Sequence, residues 1–183
     1  MELITGMFRK AGITLSRREL EQFELLYHEY TRLNDEWDLS RLTRPDDIVL
    51  KHFVDSVLPA KLIALPESLV DIGTGPGFPG IPIKIVSPAT RIILAEPRFR
   101  RVEFMRMMID KLGLENAEVY PHLVTPESWF DVDGVITRAF EAADGTLRRV
   151  NHFLPENGRV VLLKGPGADE DIAELSPEML DYY

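Results

Sequence analysis

The stretch VDIGTGPGFPGIP, residues 70–82, decides the fold of this chain. Gly73, Gly75 and Gly77 directly follow a short apolar run, and a helical segment follows them. Glycines in such a place let the backbone turn sharply and let a ligand approach the main chain closely. The order of strand, glycine turn and helix predicts the ligand-binding turn of a doubly wound α/β domain.

Two kinds of ligand suit this turn. Gly75, Gly77 and Gly80 fit the GxGxxG pattern of dinucleotide-binding proteins, which is a weak signal when it stands alone. Asp71 instead lies two residues before Gly73, a position typical of the loop that binds S-adenosylmethionine in methyltransferases. The chain also has no second domain to carry a hydride acceptor, so S-adenosylmethionine is favoured over a nicotinamide cofactor.

An acidic residue follows at the distance that a ribose requires. Glu96 lies 23 residues beyond Gly73 and ends the next apolar run. A carboxylate at the end of the second strand accepts hydrogen bonds from both ribose hydroxyls. Glu96 is therefore a candidate contact of the cofactor.

Beyond residue 67, short apolar runs alternate with helical segments. The predicted strands are 68–73, 91–96, 117–122, 132–140 and 158–165, and the predicted helices are about 80–86, 99–112 and 143–153. Strands that alternate with helices form βαβ units and a parallel sheet.

The N-terminal part predicts helices only. Apolar residues recur at helical spacing over residues 20–33, and a second helical stretch covers roughly 48–58, with Pro59 and Pro66 marking its end. We expect a single domain, with an N-terminal helical cap at 1–66 and a methyltransferase core at 67–183.

Composition narrows the class of protein. The 183 residues suffice for one domain with a hydrophobic core, and no apolar run approaches the ~18 residues of a membrane span. The absence of cysteine excludes disulfides and thiolate metal sites, and the histidines lack ligand spacing, so no metal is expected. A monomeric cytoplasmic protein is the simplest prediction.

The net charge of −9 argues at first against a nucleic-acid partner. Residues 165–183 hold six acidic residues and no Lys or Arg, so the preceding 164 residues carry only −3. Basic residues outnumber acidic ones between residues 98 and 111. This cluster fits a nucleic-acid contact, and it fits a solvated helix face as well.

Missing motifs restrict the methyl acceptor. Methylation at C5 of a pyrimidine needs a covalent nucleophile, normally cysteine, and the chain has none. The [DN]PP[YFW] loop that accompanies amino-group methylation is also absent. Guanine N7 carries a lone pair and no proton, so its methylation requires positioning and no general base.

Seven motifs resemble those of the glucose-inhibited division protein B (RsmG) family, whose members methylate guanine N7 in 16S rRNA. They are HxxDS at 52–56, DIGTGPGFPGIP at 71–82, Glu96, the RVxF at 101–104, LGLEN at 112–116, RAF at 138–140 and LKG at 163–165. The resemblance implies a Rossmann-like class I methyltransferase with strand order 3-2-1-4-5, S-adenosylmethionine as cofactor, and 16S rRNA or the small ribosomal subunit as partner.

The resemblance and the glycine turn together give three sets of candidate residues. The catalytic candidates are His52, Asp55 and Arg138. The cofactor candidates are Asp71, Gly73, Thr74, Gly75, Gly77, Phe78, Glu96, Val124, Thr125 and Arg138. The RNA candidates are Arg100, Arg101 and Lys164. Because Arg100 and Arg101 begin a helix beyond Glu96, we expect both side chains to point outward.

Some positions depart from the family pattern. Asp38 replaces the second asparagine of WNxxxNLT, and Leu123–Val124–Thr125 stands where the family has RxE. The family's C-terminal β-hairpin is expected to be missing from these 183 residues. These departures leave open a non-catalytic or retargeted relative that binds S-adenosylmethionine or RNA, and the glycine pattern leaves open an NAD-dependent oxidoreductase.

Overall fold

A five-stranded parallel sheet forms the centre of the chain, described here by a computed structural model for residues 2–182. Its strands lie in the order β3-β2-β1-β4-β5. They are β1 Ser68–Ile72, β2 Arg91–Ala95, β3 Ala117–Tyr120, β4 Gly134–Arg138 and β5 Arg159–Leu163. The five predicted strands, their order and the Rossmann-like class are confirmed.

The apolar side chains of the strands point alternately into two separate hydrophobic cores. On β2, Ile92 and Leu94 face a core shared with the N-terminal helices, whereas Ile93 and Ala95 face the opposite side. Successive side chains of a strand point to opposite faces, so each short apolar run supplies both layers.

The helices are α1 Glu2–Lys10, α2 Arg17–Trp37, α3 Pro45–Asp47, α4 Asp55–Leu62, α5 Gly80–Val86, α6 Phe99–Leu112, α7 Ala143–Val150, α8 Ala168–Ala173 and α9 Pro177–Tyr182.

The second N-terminal helical stretch is longer than predicted. A π-helical segment, Ile48–Val54, joins α3 to α4, so the helix runs without a break from Pro45 to Leu62. Of the two prolines predicted to mark its end, Pro59 is buried inside α4 and Pro66 lies beyond the helix, so the end predicted near residue 58 is too early. π-Helical turns often occur at functional sites, and this one carries His52 on its buried side.

The loops that follow β1, β2 and β4 meet at one edge of the sheet, where open α/β sheets place their ligands. The π-helical segment and α4 pack beside this edge through contacts with α1, α2 and α5. Among the described residues, no helix is long and apolar enough to span a membrane.

Candidate active site

The glycine turn has the backbone that the sequence predicts. Gly73, Gly75 and Gly77 have φ angles of 70°, 62° and 99°, which side chains rarely adopt. A Cβ at Gly77 would lie 2.4 Å from Cδ1 of the buried Ile81, so this glycine serves packing. A Cβ at Gly75 would meet only Nη1 of Arg101, 3.9 Å away, among the described residues. Gly75 is therefore where a ligand can approach the main chain.

Asp71 holds the turn with one carboxylate oxygen. Its Oδ2 accepts hydrogen bonds from Oγ1 of Thr74 at 2.6 Å and from the N–H of Gly80 at 2.7 Å. Its Oδ1 is buried and has no hydrogen-bond partner among the described residues. Burial raises the pKa of Asp71 to about 6, against the lowering effect of those two hydrogen bonds. A ligand with an ammonium group, as S-adenosylmethionine has, would satisfy Oδ1.

Glu96 is buried at the end of β2, where the cofactor prediction requires it. Its Oε1 accepts a hydrogen bond from the N–H of Arg98 at 2.9 Å, and its Oε2 lies 3.5 Å from Nη1 of Arg101. The prediction that Arg101 points outward is wrong, because its side chain is only 19% exposed and pairs with Glu96. Arg100 is exposed as predicted, with its guanidinium 5.5 Å above the ring of Trp37.

Arg138 is anchored to the π-helical segment at the end of β4. Its Nη1 donates to the carbonyl of Lys51 and to Oγ of Ser56, and its Nη2 lies 3.2 Å from Nδ1 of His52. A guanidinium can only donate hydrogen bonds, so Nδ1 of His52 accepts this one. The proton of the neutral imidazole therefore lies on Nε2.

Helix α2 and the loop that follows it supply the partners of His52 on its other side. Its Nε2 lies 3.1 Å from Oγ of Ser40 and 3.3 Å from the hydroxyl of Tyr30, which donates to the carbonyl of Leu42. The imidazole also stacks on the ring of Phe78, with centroids 4.3 Å apart. Burial lowers the pKa of His52 to about 3, and the charge of Arg138 acts in the same direction. His52 is therefore neutral at physiological pH.

This network was not predicted, because Tyr30 and Ser40 carry no motif. The hydroxyl of Tyr30 on an apolar helix face is the signal that could have found it, since a buried hydroxyl needs a partner. The ring of Phe78, predicted as a cofactor contact, is buried between this network and the core.

A cavity of about 720 Å³ opens beside Arg138, between α4 and the end of β5. Its walls are mainly apolar, and its ionisable lining residues are Lys51, His52, Asp55, Arg138 and Lys164. Burial raises the pKa of Asp55, and the positive charges of Arg138 and Lys51 oppose this rise. The three predicted catalytic residues thus lie together on one cavity.

Lys164 is paired with groups of its own chain. Its Nζ lies 2.6 Å from Oδ2 of Asp171 and donates to the carbonyl of Glu141, and its side chain is 17% exposed. The RNA contact predicted at Lys164 stays a prediction, and in this structure the lysine fastens α8 to the loop after β4.

The loop after β3 places Val124 and Thr125 at the same edge of the sheet. Val124 is buried and its carbonyl accepts a hydrogen bond from Nη1 of Arg149 at 3.2 Å. The N–H of Thr125 donates to Oγ of Ser128 at 2.9 Å. Their predicted contact with the adenine stays a prediction.

A known protein family matches this chain over most of its length. The sequence profile of the family described as rRNA small subunit methyltransferase G matches residues 19–181. This chain belongs to that family. Membership confirms the predicted resemblance and the methyltransferase class, with S-adenosylmethionine as methyl donor. The nicotinamide-dependent alternative is not favoured.

Similar proteins of the rRNA small subunit methyltransferase G family come from several bacteria. Ribosomal RNA small subunit methyltransferase G 2 of Syntrophobacter fumaroxidans is 41% identical over 93% of this chain, which spans only 34% of that protein. The protein of the same name from Bdellovibrio bacteriovorus is 35% identical, with 98% of this chain and 71% of the relative covered. Ribosomal RNA small subunit methyltransferase G of Escherichia coli is 32% identical, with 96% and 84% covered.

Solved structures support the fold of this family member. The precorrin-6y C5,15-methyltransferase of Geobacter metallireducens superposes with a TM-score of 0.53 at 22% identity, covering 70% of this chain and 69% of that one. Coclaurine N-methyltransferase bound to N-methylheliamine and SAH gives a TM-score of 0.55 at 13% identity, covering 87% and 55%. Both likenesses show a methyltransferase-type α/β fold.

Proposed function

We propose that this chain transfers the methyl group of S-adenosylmethionine to N7 of a guanine in 16S rRNA of the small ribosomal subunit. The observation that carries the proposal is the position of Arg138. This side chain contacts the HxxDS segment through Ser56 and His52, and it lines the cavity between α4 and the end of β5. The relatives' names, which specify small-subunit ribosomal RNA, supply the class of acceptor.

Glu96, Asp71 and Gly75 each bind a different part of S-adenosylmethionine. The carboxylate of Glu96 accepts hydrogen bonds from ribose hydroxyls, and the free Oδ1 of Asp71 accepts one from an ammonium. The open backbone at Gly75 admits the ligand to the turn. When bound there, S-adenosylmethionine supplies an electrophilic methyl group on a sulfonium.

On the acceptor side, no residue is required to remove a proton. Guanine N7 attacks with a lone pair, so the task of the protein is alignment and charge placement. His52 fits this requirement, because it is neutral and its Nδ1 is occupied by Arg138. We assign His52 the role of positioning Arg138 and no role as a general base.

The test uses small-subunit particles from a strain that lacks this enzyme. Incubation with the chain and labelled S-adenosylmethionine should yield one 7-methylguanosine per 16S rRNA, detected by nuclease digestion and mass analysis. Binding of S-adenosylhomocysteine without methylation of any RNA would support the non-catalytic or retargeted alternative. A monomeric, cytoplasmic enzyme stays a prediction, and light scattering after gel filtration tests the monomer.

A further inference from the structure

Asp55 stands apart from the other ionisable residues of the cavity beside Arg138. Lys51 pairs with Asp47 at 2.9 Å, and Lys164 pairs with Asp171 at 2.6 Å. The carboxylate of Asp55, in contrast, has neither a hydrogen bond nor an ion pair with any described residue. It is a half-buried carboxylate on a mainly apolar cavity, where the charges of Arg138 and Lys51 act on it but neither side chain donates a hydrogen bond to it.

Arg138 offers the complementary groups on the same cavity. Its hydrogen bonds to Lys51, Ser56 and His52 use three of its five N–H groups. Two N–H groups therefore stay available among the described residues. A ligand that suits this cavity presents donors to Asp55 and acceptors to Arg138.

We propose that the cavity binds the guanine base and that the Asp55 carboxylate accepts hydrogen bonds from N1–H and the N2 amino group of that base. This inference rests on the proposed function. Guanine has two adjacent donors on its Watson–Crick edge, which match the two oxygens of a carboxylate, and its O6 can accept from Arg138 while the lone pair of N7 stays free for the methyl group. Adenine would present one donor beside the lone pair of N1, which a carboxylate repels.

The same contact assists methyl transfer. The N7 lone pair forms a bond to the methyl carbon, the carbon–sulfur bond breaks, and its electron pair stays on sulfur. The positive charge moves from the sulfonium to the purine ring, and no proton leaves. In the bound ground state the positive charge is on sulfur, and in the transition state part of it is on the purine ring that the Asp55 carboxylate contacts. The carboxylate therefore stabilises the transition state more than the ground state.

The test compares guanine with inosine at the methylated position in reconstituted small-subunit particles. Inosine keeps N1–H, O6 and N7 and lacks only the N2 amino group. The parent chain should methylate inosine about tenfold more slowly, because one hydrogen bond to a charged group is lost. Asp55→Asn should methylate guanine roughly a hundredfold more slowly, because two charged hydrogen bonds are changed. This variant should no longer prefer guanine, since the amide group of Asn faces the N2 amino group donor to donor.

A control variant and a cofactor-binding measurement distinguish failure of the Asp55 inference from failure of the proposed function. Asp46→Asn, at an exposed carboxylate of α3, should behave as the parent, and Asp55→Asn should bind S-adenosylhomocysteine normally. An Asp55→Asn variant that still discriminates against inosine as the parent does, or that keeps the parent's rate, overturns the inference and leaves the proposed function standing. A parent chain that methylates neither base overturns the proposed function, and the inference with it.

Discussion

Nδ1 of His52 lies 3.2 Å from Nη2 of Arg138, and this pair joins the N-terminal helices to the end of β4. The imidazole is held on its other side by Ser40 and Tyr30. Arg138, which we propose to face the methyl acceptor, is thus positioned by residues from outside the sheet domain. On this proposal the helical N-terminal region contributes to the active site, and removing its contacts should alter catalysis.

The tautomer of His52 gives the first prediction. In His52→Asn the amide oxygen replaces Nδ1 and can still accept from Arg138, whereas in His52→Gln the amide reaches the position of Nε2 instead. We expect His52→Asn to keep kcat within about tenfold of the parent, and His52→Gln to lose about a hundredfold, from one hydrogen bond to a charged group. Single-turnover methylation of small-subunit particles measures both, and equal losses in the two variants would contradict the assignment.

The stability of the protein should depend on His52 below neutral pH. The pKa is about 3 in the folded chain and 6.5 in the unfolded one, so only the unfolded chain takes up a proton between these values. The stability from His52 is therefore complete above pH 6.5 and falls by about 1.4 kcal/mol per pH unit as the pH drops towards 3.

The comparison of the parent with His52→Asn isolates this effect. Asp71 has a raised pKa of about 6 and contributes with the opposite sign between pH 3.8 and 6, but it does so in both chains and cancels. Urea unfolding at pH 7.0 and 5.0 should show the stability difference between the chains shrinking at the lower pH. If the difference in free energy of unfolding between the two chains does not depend on pH, His52 has the same pKa in the folded and unfolded chains, as a solvent-exposed imidazole would.

Two glycines of the turn should respond differently to alanine. Gly75→Ala meets open space, so we expect a loss of about 1–2 kcal/mol from the positive φ and a clear loss of cofactor affinity. Gly77→Ala also drives a methyl group into Ile81, so its loss of stability should be larger. Thermal unfolding and calorimetric titration with S-adenosylhomocysteine test both. Unchanged affinity in Gly75→Ala would remove this glycine from the cofactor site.

Cofactor affinity should depend on the pair Glu96–Arg101 and not on Arg100. Glu96→Ala removes hydrogen bonds to the ribose, each worth about 1.5–3 kcal/mol. Arg101→Met should also weaken binding, because Arg101 is the buried partner of that carboxylate. Arg100→Met is the matched control and should bind S-adenosylhomocysteine as the parent does. If Arg100→Met weakens binding as much as Arg101→Met does, the pairing has no specific role.

The salt dependence of RNA binding should change when Arg100 is replaced and should not change when Lys164 is replaced. Arg100 is exposed beside Trp37. If it contacts a phosphate, Arg100→Ala should make the negative slope of log binding constant against log salt concentration shallower by about 0.7–0.9. Lys164→Ala should leave this slope unchanged and lower stability, because it breaks the pair with Asp171. Filter binding to small-subunit particles at several salt concentrations measures both slopes. A parent-like slope in Arg100→Ala would make the basic cluster a solvated helix face.

Local patterns were enough to predict the sheet. The apolar run before Gly73 and the four runs after it give the strands, because each must bury both faces between helices. Glycines with positive φ and an acid at the end of the second strand then identify the cofactor edge. These features depend on neighbours within one strand–turn–helix unit, so they can be read from the sequence.

Only the tertiary structure decided which charged side chains are free. Arg101 and Lys164 look like any other surface cations in the sequence, yet each meets a carboxylate that folding brings to it. Asp55 is left without a partner, and Tyr30 reaches His52 from a helix 22 residues away in the chain. The sequence by itself determined the fold class and the place of the glycine turn, through local periodicity and backbone freedom. The partners of each polar group were decided by packing, because burial and distance between elements fix which donor meets which acceptor.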